Sequence, residues 1–267
     1  SYWDAGYVAL DVTDPTDITY IGDTDFADPD PEAAESGLGV PPEGNGHQAE
    51  FTLDNRYVIG ADEDFSPYGL TARNVTDATA ITAGQGIPMP EGETVTGPST
   101  YVGLACPDSP AVPAGDPAAV DIAVVERGVC TFTEKVAAVE AAGGYDAILV
   151  FNTQTLPVDI GTRGDELTFS SYFDGWGYAH LFRAEGGKMT ELDTYAIPEA
   201  HDPAHASGSG DLSIHEVATS GVRPDLAYFS YYAGGFRVAK IRHGELVEVG
   251  RYIDEGGNNF WGVQTFI

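Results

Sequence analysis

The stretch Leu226–Asp254, LAYFSYYAGGFRVAKIRHGELVEVGRYID, decides the fold. It reads as three short β runs with period-2 patterning, joined by a Gly-containing turn and a polar turn, which is the pattern of an antiparallel meander. Its central motif recurs. Ser230-Tyr231-Tyr232-Ala233-Gly234-Gly235-Phe236-Arg237-Val238 matches Ser1-Tyr2-Trp3-Asp4-Ala5-Gly6-Tyr7-Val8-Ala9, and, one residue longer, Ser171-Tyr172-Phe173-Asp174-Gly175-Trp176-Gly177-Tyr178-Ala179. Each copy is followed by a further β run: Ile18–Ile21, Met189–Leu192 and Leu246–Val249. Two copies also have a candidate first strand that opens on histidine, His47–Thr52 and His215–Thr219.

Counted from His215 to Asp254, one unit holds 40 residues and four strands. Repeats of about 40–50 residues with four strands each are the signature of propeller blades, which are stable only when stacked on neighbours. The expected fold class is therefore mainly β: a partial β-propeller of about three four-stranded blades, interrupted by a small α/β insert. The last run, Asn258–Ile267, is expected to start another blade and to pair with residues 1–12. Three blades do not close a ring, so the chain is expected to be an open arc or part of a longer protein.

Working outward, Gly6-Tyr7-Val8-Ala9-Leu10-Asp11-Val12-Thr13-Asp14-Pro15 alternates and then breaks at an Asp-Pro turn. The run GYVALDVTDPTDITYIGD, Gly6–Asp23, resembles the LVIVD repeat. That resemblance covers residues 1–65 and 170–267 and implies a secreted or cell-surface propeller. The middle copy departs from it, with Phe182-Arg183-Ala184-Glu185-Gly186-Gly187 in place of the Asp-Pro turn.

From Ser66 the repeat pattern stops for about a hundred residues. There, Asp121–Gly128 (DIAVVERG) is a nearly continuous apolar strand, the kind covered on both faces. Thr131 and Glu134 have the spacing of a capping box. Lys135–Ala142 favours helix and Gly143-Gly144 stops it. Tyr145–Asn152 (YDAILVFN) is a second buried strand, giving a right-handed β-α-β unit. The run Val125–Asn152, VERGVCTFTEKVAAVEAAGGYDAILVFN, closely resembles a protease-associated (PA) domain, a non-catalytic lid or binding module. Many PA domains carry a cysteine before this run, and Cys106 precedes Cys130 here. With two cysteines in an extracellular-looking chain, a Cys106–Cys130 disulfide is expected. Only about 17 residues separate Asn152 from the expected return of the blade, so the module is expected to be shortened or to read straight into the blade. The domain expectation is thus 1–65 propeller, 66–169 insert (core 94–165), and 170–267 propeller.

The net charge of −30, from 42 acidic and 12 basic residues, repels nucleic acid and anionic membranes. No run of 18 apolar residues is present, so no membrane insertion is expected. The acidity fits salt adaptation or cation binding on one reading and an ordinary acidic secreted protein on the other. Asp23, Asp25, Asp28, Asp30 and Glu32 form a candidate Ca²⁺ loop that lacks EF-hand spacing, and the overall acidity favours a solvated loop over an ion site there.

His47 and His215 occupy equivalent repeat positions on innermost strands, with Glu50, Glu216 and Glu63 nearby; these five are the candidate ligands for Ca²⁺ or a transition metal. The competing reading is that both histidines are repeat residues bonding neighbouring blades. His180, His201, His205 and His243 are expected at the surface. Asp202-Pro203 argues against one helix presenting both His201 and His205. Trp176 and Tyr232, beside Gly turns, and Arg127 in the insert are the candidate ligand contacts. Asn74-Val75-Thr76 is a glycosylation sequon. No nucleophile elbow, HExxH, phosphate loop or CxxC occurs, so no catalytic residue is assigned. Two functions follow: a non-catalytic secreted or surface protein that binds a protein, peptide or glycan, or a metal-dependent enzyme with its ion near the propeller axis.

Overall fold

In Leu226–Tyr231, alternate residues Ala227, Phe229 and Tyr231 are buried, and in Gly235–Arg242 the buried set includes Arg237, Ala239 and Ile241. Period-2 burial of this kind makes each run a strand with one face on a core. These strands belong to a four-stranded antiparallel sheet, β13 (Glu216–Thr219), β14 (Leu226–Tyr231), β15 (Gly235–Arg242) and β16 (Glu245–Tyr252), hydrogen-bonded in sequence order. The computed structural model describes residues 1, 6–25, 45–81, 93–151 and 163–266. Its chain divides into two compact units, Ser1–Tyr68 with Phe173–Ile267, and Gly69–Tyr172.

The first unit contains a second meander of the same form. Strands β3 (Gly46–Phe51), β4 (Tyr57–Asp62), β11 (Ala179–Glu185) and β12 (Lys188–Tyr195) pair antiparallel in that order. A hairpin of β1 (Val8–Asp11) and β2 (Thr19–Asp25) extends this sheet, because β2 pairs parallel with β12. The two meanders share one core. Ile59, Ala61, Ala179 and Leu181 from one pack with Val217, Ala227, Phe229, Tyr231, Ala239 and Ile241 from the other. The alternate residues of the first meander, Val58 and Phe182, face away from that core and are covered by Tyr7 and Met189. Gly60 sits under Tyr7: a Cβ there would lie 2.5 Å from the Tyr7 ring, so the strand needs glycine at this point.

The two meanders differ in one connection. Between β14 and β15 the chain turns in Tyr232-Ala233-Gly234, with Tyr231 opposite Gly235. Between the corresponding strands β4 and β11, where Ala61 lies opposite Ala179, the chain runs through residues 63–178. A hairpin turn in one copy is a whole domain in the other.

The second unit centres on a sheet ordered β6 (Thr79–Ile81), β5 (Tyr68–Asn74), β10 (Glu166–Phe173), β7 (Thr94–Gly103), β8 (Ile122–Glu126) and β9 (Ala147–Phe151). β7, β8 and β9 are parallel, and helix α1 (Phe132–Ala142) connects β8 to β9. Burial on both faces accounts for the apolar run: Ile122 and Val124 pack with Phe151, Leu167 and Phe169, while Ala123 and Val125 pack with Ala105 and Val139 of α1. Thr131 and Glu134 form a reciprocal capping box, and Gly143, at φ 73°, ends the helix. Cys106 and Cys130 are bonded, with Cα atoms 5.8 Å apart.

Two expectations need correction. Ser171-Tyr172-Phe173 close β10, inside the α/β sheet, rather than opening the returning blade, so the module is not cut short at Asn152. The C-terminal run does not pair with residues 6–12. Phe260 bridges to Tyr232, Val263 N–H donates to Glu216 Oε2 (3.2 Å), and Thr265 Oγ1 donates to Thr219 O (2.8 Å). In the first unit the described strands form two four-stranded meanders and an added hairpin, a mainly β architecture.

Candidate functional site

The first strands of the two meanders, β3 and β13, lie side by side, joined by side-chain bonds from one backbone to the other. Val217 N–H donates to Gln48 Oε1 (2.8 Å), and Thr219 N–H donates to Glu50 Oε2 (2.6 Å). This places His47, at the start of β3, against His215, just before β13, with ring centroids 4.4 Å apart. Glu63 follows β4 directly, and β4 is the partner of β3, so its carboxylate reaches both rings. His47 Nδ1 is 3.4 Å from Glu63 Oε2, and His215 Nε2 is 3.5 Å from Glu63 Oε1. One donor atom from each of the three lies within 4.8 Å of the others.

Glu63 and His215 are buried and His47 is half-buried, so the cluster is reachable from the His47 side. Burial holds the His47 imidazole below its usual pKa against the opposing pull of Glu63, which favours the neutral ring. The walls are aromatic. Trp261 stacks on His215 at 4.6 Å, Tyr232 meets it edge-on at 5.2 Å, and the Tyr232 hydroxyl donates to Glu63 Oε1. Tyr232 has φ 31°, a sterically costly value for a residue with a Cβ, and its backbone is held by two bonds to Phe260 (3.1 and 2.9 Å). His215 Nδ1 is buried with no hydrogen-bond partner among the described residues.

Of the five metal candidates, then, His47, His215 and Glu63 converge and Glu50 and Glu216 do not. Adjacent strand residues point to opposite faces, which takes Glu216 away from His215. Its Oε2 accepts from Val263 N–H, while Glu50 accepts from Thr219 N–H. Trp176, a candidate ligand contact, is 5% exposed and packs in the shared core, so it has no face to offer a ligand. Tyr232 turns toward Glu63. Arg127 is exposed, after β8.

His180 is not a surface residue. It is 1% exposed, with Nε2 2.7 Å from Asp62 Oδ2 and Nδ1 2.5 Å from Glu191 Oε1. Tyr7 donates to the other Asp62 oxygen (2.7 Å). His201 and His205 are half-buried on two separate 3-10 turns, Pro198–His201 and Pro203–His205, and His243 is exposed. Asn74 of the sequon is buried, its amide donating to Asp165 (2.8 Å), so it has no exposed nitrogen to glycosylate. Asp28, Asp30 and Glu32 of the acidic loop, and the Asp25 side chain, lie outside the described residues. Sequence reasoning does not reach the Asp62–His180 pair, the Tyr232–Glu63 bond or the Trp261 stack. For His180 a signal exists: Ala179-His180-Leu181-Phe182 puts it on the same strand face as Phe182.

Comparison with known families bears on the second unit. Residues 92–175 match the PA domain family. They form a PA domain. The match runs through β10 to its end, in agreement with the sheet order, and leaves the two meanders outside it. No LVIVD-repeat or propeller family matches them. No curated protein matches the chain. Two structures of BSAP, a zinc aminopeptidase from Bacillus subtilis, are similar at TM-scores of 0.32 and 0.31 with 19% and 21% identity. Each comparison covers 49% of this chain and 37% of the aminopeptidase chain, so the similarity spans little more than a third of that enzyme.

Proposed function

We propose that this chain is a secreted or cell-surface interaction protein, in which a propeller-type scaffold of repeated meanders displays a PA domain to a protein, peptide or glycan. The observation that carries the reading is the exchange of a hairpin turn for the PA domain between β4 and β11. Loops and turns are where a scaffold hosts function without disturbing its core. The PA family is a protease-associated and interaction module, and the Cys106–Cys130 bond fits an oxidising compartment. The propeller reading rests on the two like meanders, their shared core and the LVIVD-like run Gly6–Asp23. Arg127, exposed on the PA domain, is the first residue to test as a ligand contact.

The experiment is a peptide and glycan screen on the immobilised chain, repeated with residues 69–172 replaced by a short linker. Binding that disappears with the PA domain supports the reading. Binding that survives its removal, or none to any probe, contradicts it. A second reading, a metal-dependent enzyme, is favoured by the His47–Glu63–His215 convergence, and a preparation without bound transition metal would end it.

A further inference from the structure

We infer that His47, Glu63 and His215 form a three-ligand site for one divalent first-row transition ion such as Zn²⁺ or Co²⁺, with at least one coordination position open on the His47 side. The inference does not depend on the interaction reading, since it concerns the meanders and not the PA domain.

Three independent observations lead to it. The first is distance. At 3.4 and 3.5 Å, both imidazole–carboxylate separations exceed those of well-formed N–H···O bonds. Donors held about 2.1 Å from a tetrahedral ion stand roughly 3.4 Å apart; the two separations are of that size, one to each oxygen of Glu63, and one donor atom from each of the three residues lies within 4.8 Å of the others. The second is the imidazole pair. Two rings at 4.4 Å facing one carboxylate would repel each other if both were protonated, whereas as neutral ligands they share one ion without conflict. The third is the His215 ring: it is 2% exposed and its Nδ1 has no hydrogen-bond partner among the described residues, so Nε2, 3.5 Å from Glu63 Oε1, is the nitrogen that faces the cluster.

The donor set selects the class of ion. Two nitrogens and one carboxylate suit zinc and its neighbours, while Ca²⁺ and Mg²⁺ prefer oxygen ligands throughout. The surroundings supply the support that metal ligands usually have. Tyr232 donates to the Glu63 carboxylate and fixes its orientation, and Trp261 backs the His215 ring. The positive φ of Tyr232 is strain held at the point where its hydroxyl is needed. Because the ligands come from the first strands of both meanders and from the end of β4, a bound ion would also clamp the two sheets.

The test uses the full chain freed of metal by chelator and titrated with Co²⁺ and Zn²⁺, following calorimetric stoichiometry and the visible d–d absorption of bound Co²⁺. One equivalent of Co²⁺ with nitrogen-ligand d–d bands is expected, displaced by Zn²⁺. His47→Ala, at a half-buried position that should leave folding intact by far-UV circular dichroism, is expected to lose the bands. Tyr232→Phe should weaken binding by roughly 10- to 100-fold, and Glu50→Gln should leave it unchanged. The proposal is overturned if the wild-type chain shows no saturable uptake in the micromolar range. It is equally overturned if uptake is unaltered in His47→Ala and Glu63→Gln.

Discussion

At the scale of single residues, His180 is the position with the largest consequence. Burial alone would lower its pKa, but Asp62 and Glu191 on either side outweigh that and raise it to about 10. The folded chain therefore holds the imidazolium, whereas the unfolded chain titrates near 6.5. A pKa raised on folding contributes stability that is full below about pH 6.5 and is lost as pH rises toward 10. Urea denaturation should accordingly show a midpoint that falls between pH 7 and pH 10, with a shallower fall in His180→Gln. Equal slopes in the two proteins would show that His180 is not the titrating group. At pH 7 the same substitution removes the cation between two buried carboxylates and should cost about 3–5 kcal/mol. Part of the candidate site is legible from residue patterning alone. His47 and His215 open the like runs His47–Thr52 and His215–Thr219, which makes their convergence one of the two readings that the repeat offers. Glu50 and Glu216 are near them in sequence but do not join them, because strand alternation turns a neighbouring side chain to the other face.

At the scale of elements, the β-α-β core of the PA domain is the most legible part, because every boundary carries its own chemistry: the Thr131–Glu134 box starts α1 and Gly143 ends it. Thr131→Ala removes one partner of that box and should cost about 1 kcal/mol. The Cys106–Cys130 bond closes a loop with sequence separation 24, so Cys106→Ser with Cys130→Ser should destabilise the PA domain by about 3 kcal/mol. Calorimetry should place that loss in the PA transition and leave the transition of the meanders in place. A shift confined to the meanders would contradict the two-unit division. β10 is the element that sequence pattern misassigns. Ser171-Tyr172-Phe173 has the pattern of a blade strand, but alternation does not tell which sheet a strand joins; pairing with β7, from Glu166↔Pro98 to Ser170↔Thr94, decides it. The meander β13–β16 is legible because its contacts are local, whereas β3-β4-β11-β12 needs partners from either side of the insert.

At the scale of the whole molecule, charge and connectivity set the behaviour. A net charge of −30 opposes compaction, and the screening length falls from about 10 Å at 0.1 M salt to about 3 Å at 1 M. The thermal midpoint should rise with NaCl over that range, and a flat response would remove salt adaptation as the reason for the acidity. The central claim is that the PA domain occupies the place of a hairpin turn in one of two equivalent meanders. The ends it leaves are adjacent: Asp174 and Gly175 N–H both donate to Pro67 O (3.2 and 3.3 Å), and the rings of Tyr68 and Phe173 meet at 6.0 Å. The most direct test joins Tyr68 to Phe173 through a two-glycine linker and measures thermal unfolding of the shortened chain. The account predicts a β-rich protein that unfolds in one cooperative transition near that of the meanders in the full chain, whereas a shortened chain without cooperative unfolding would contradict it.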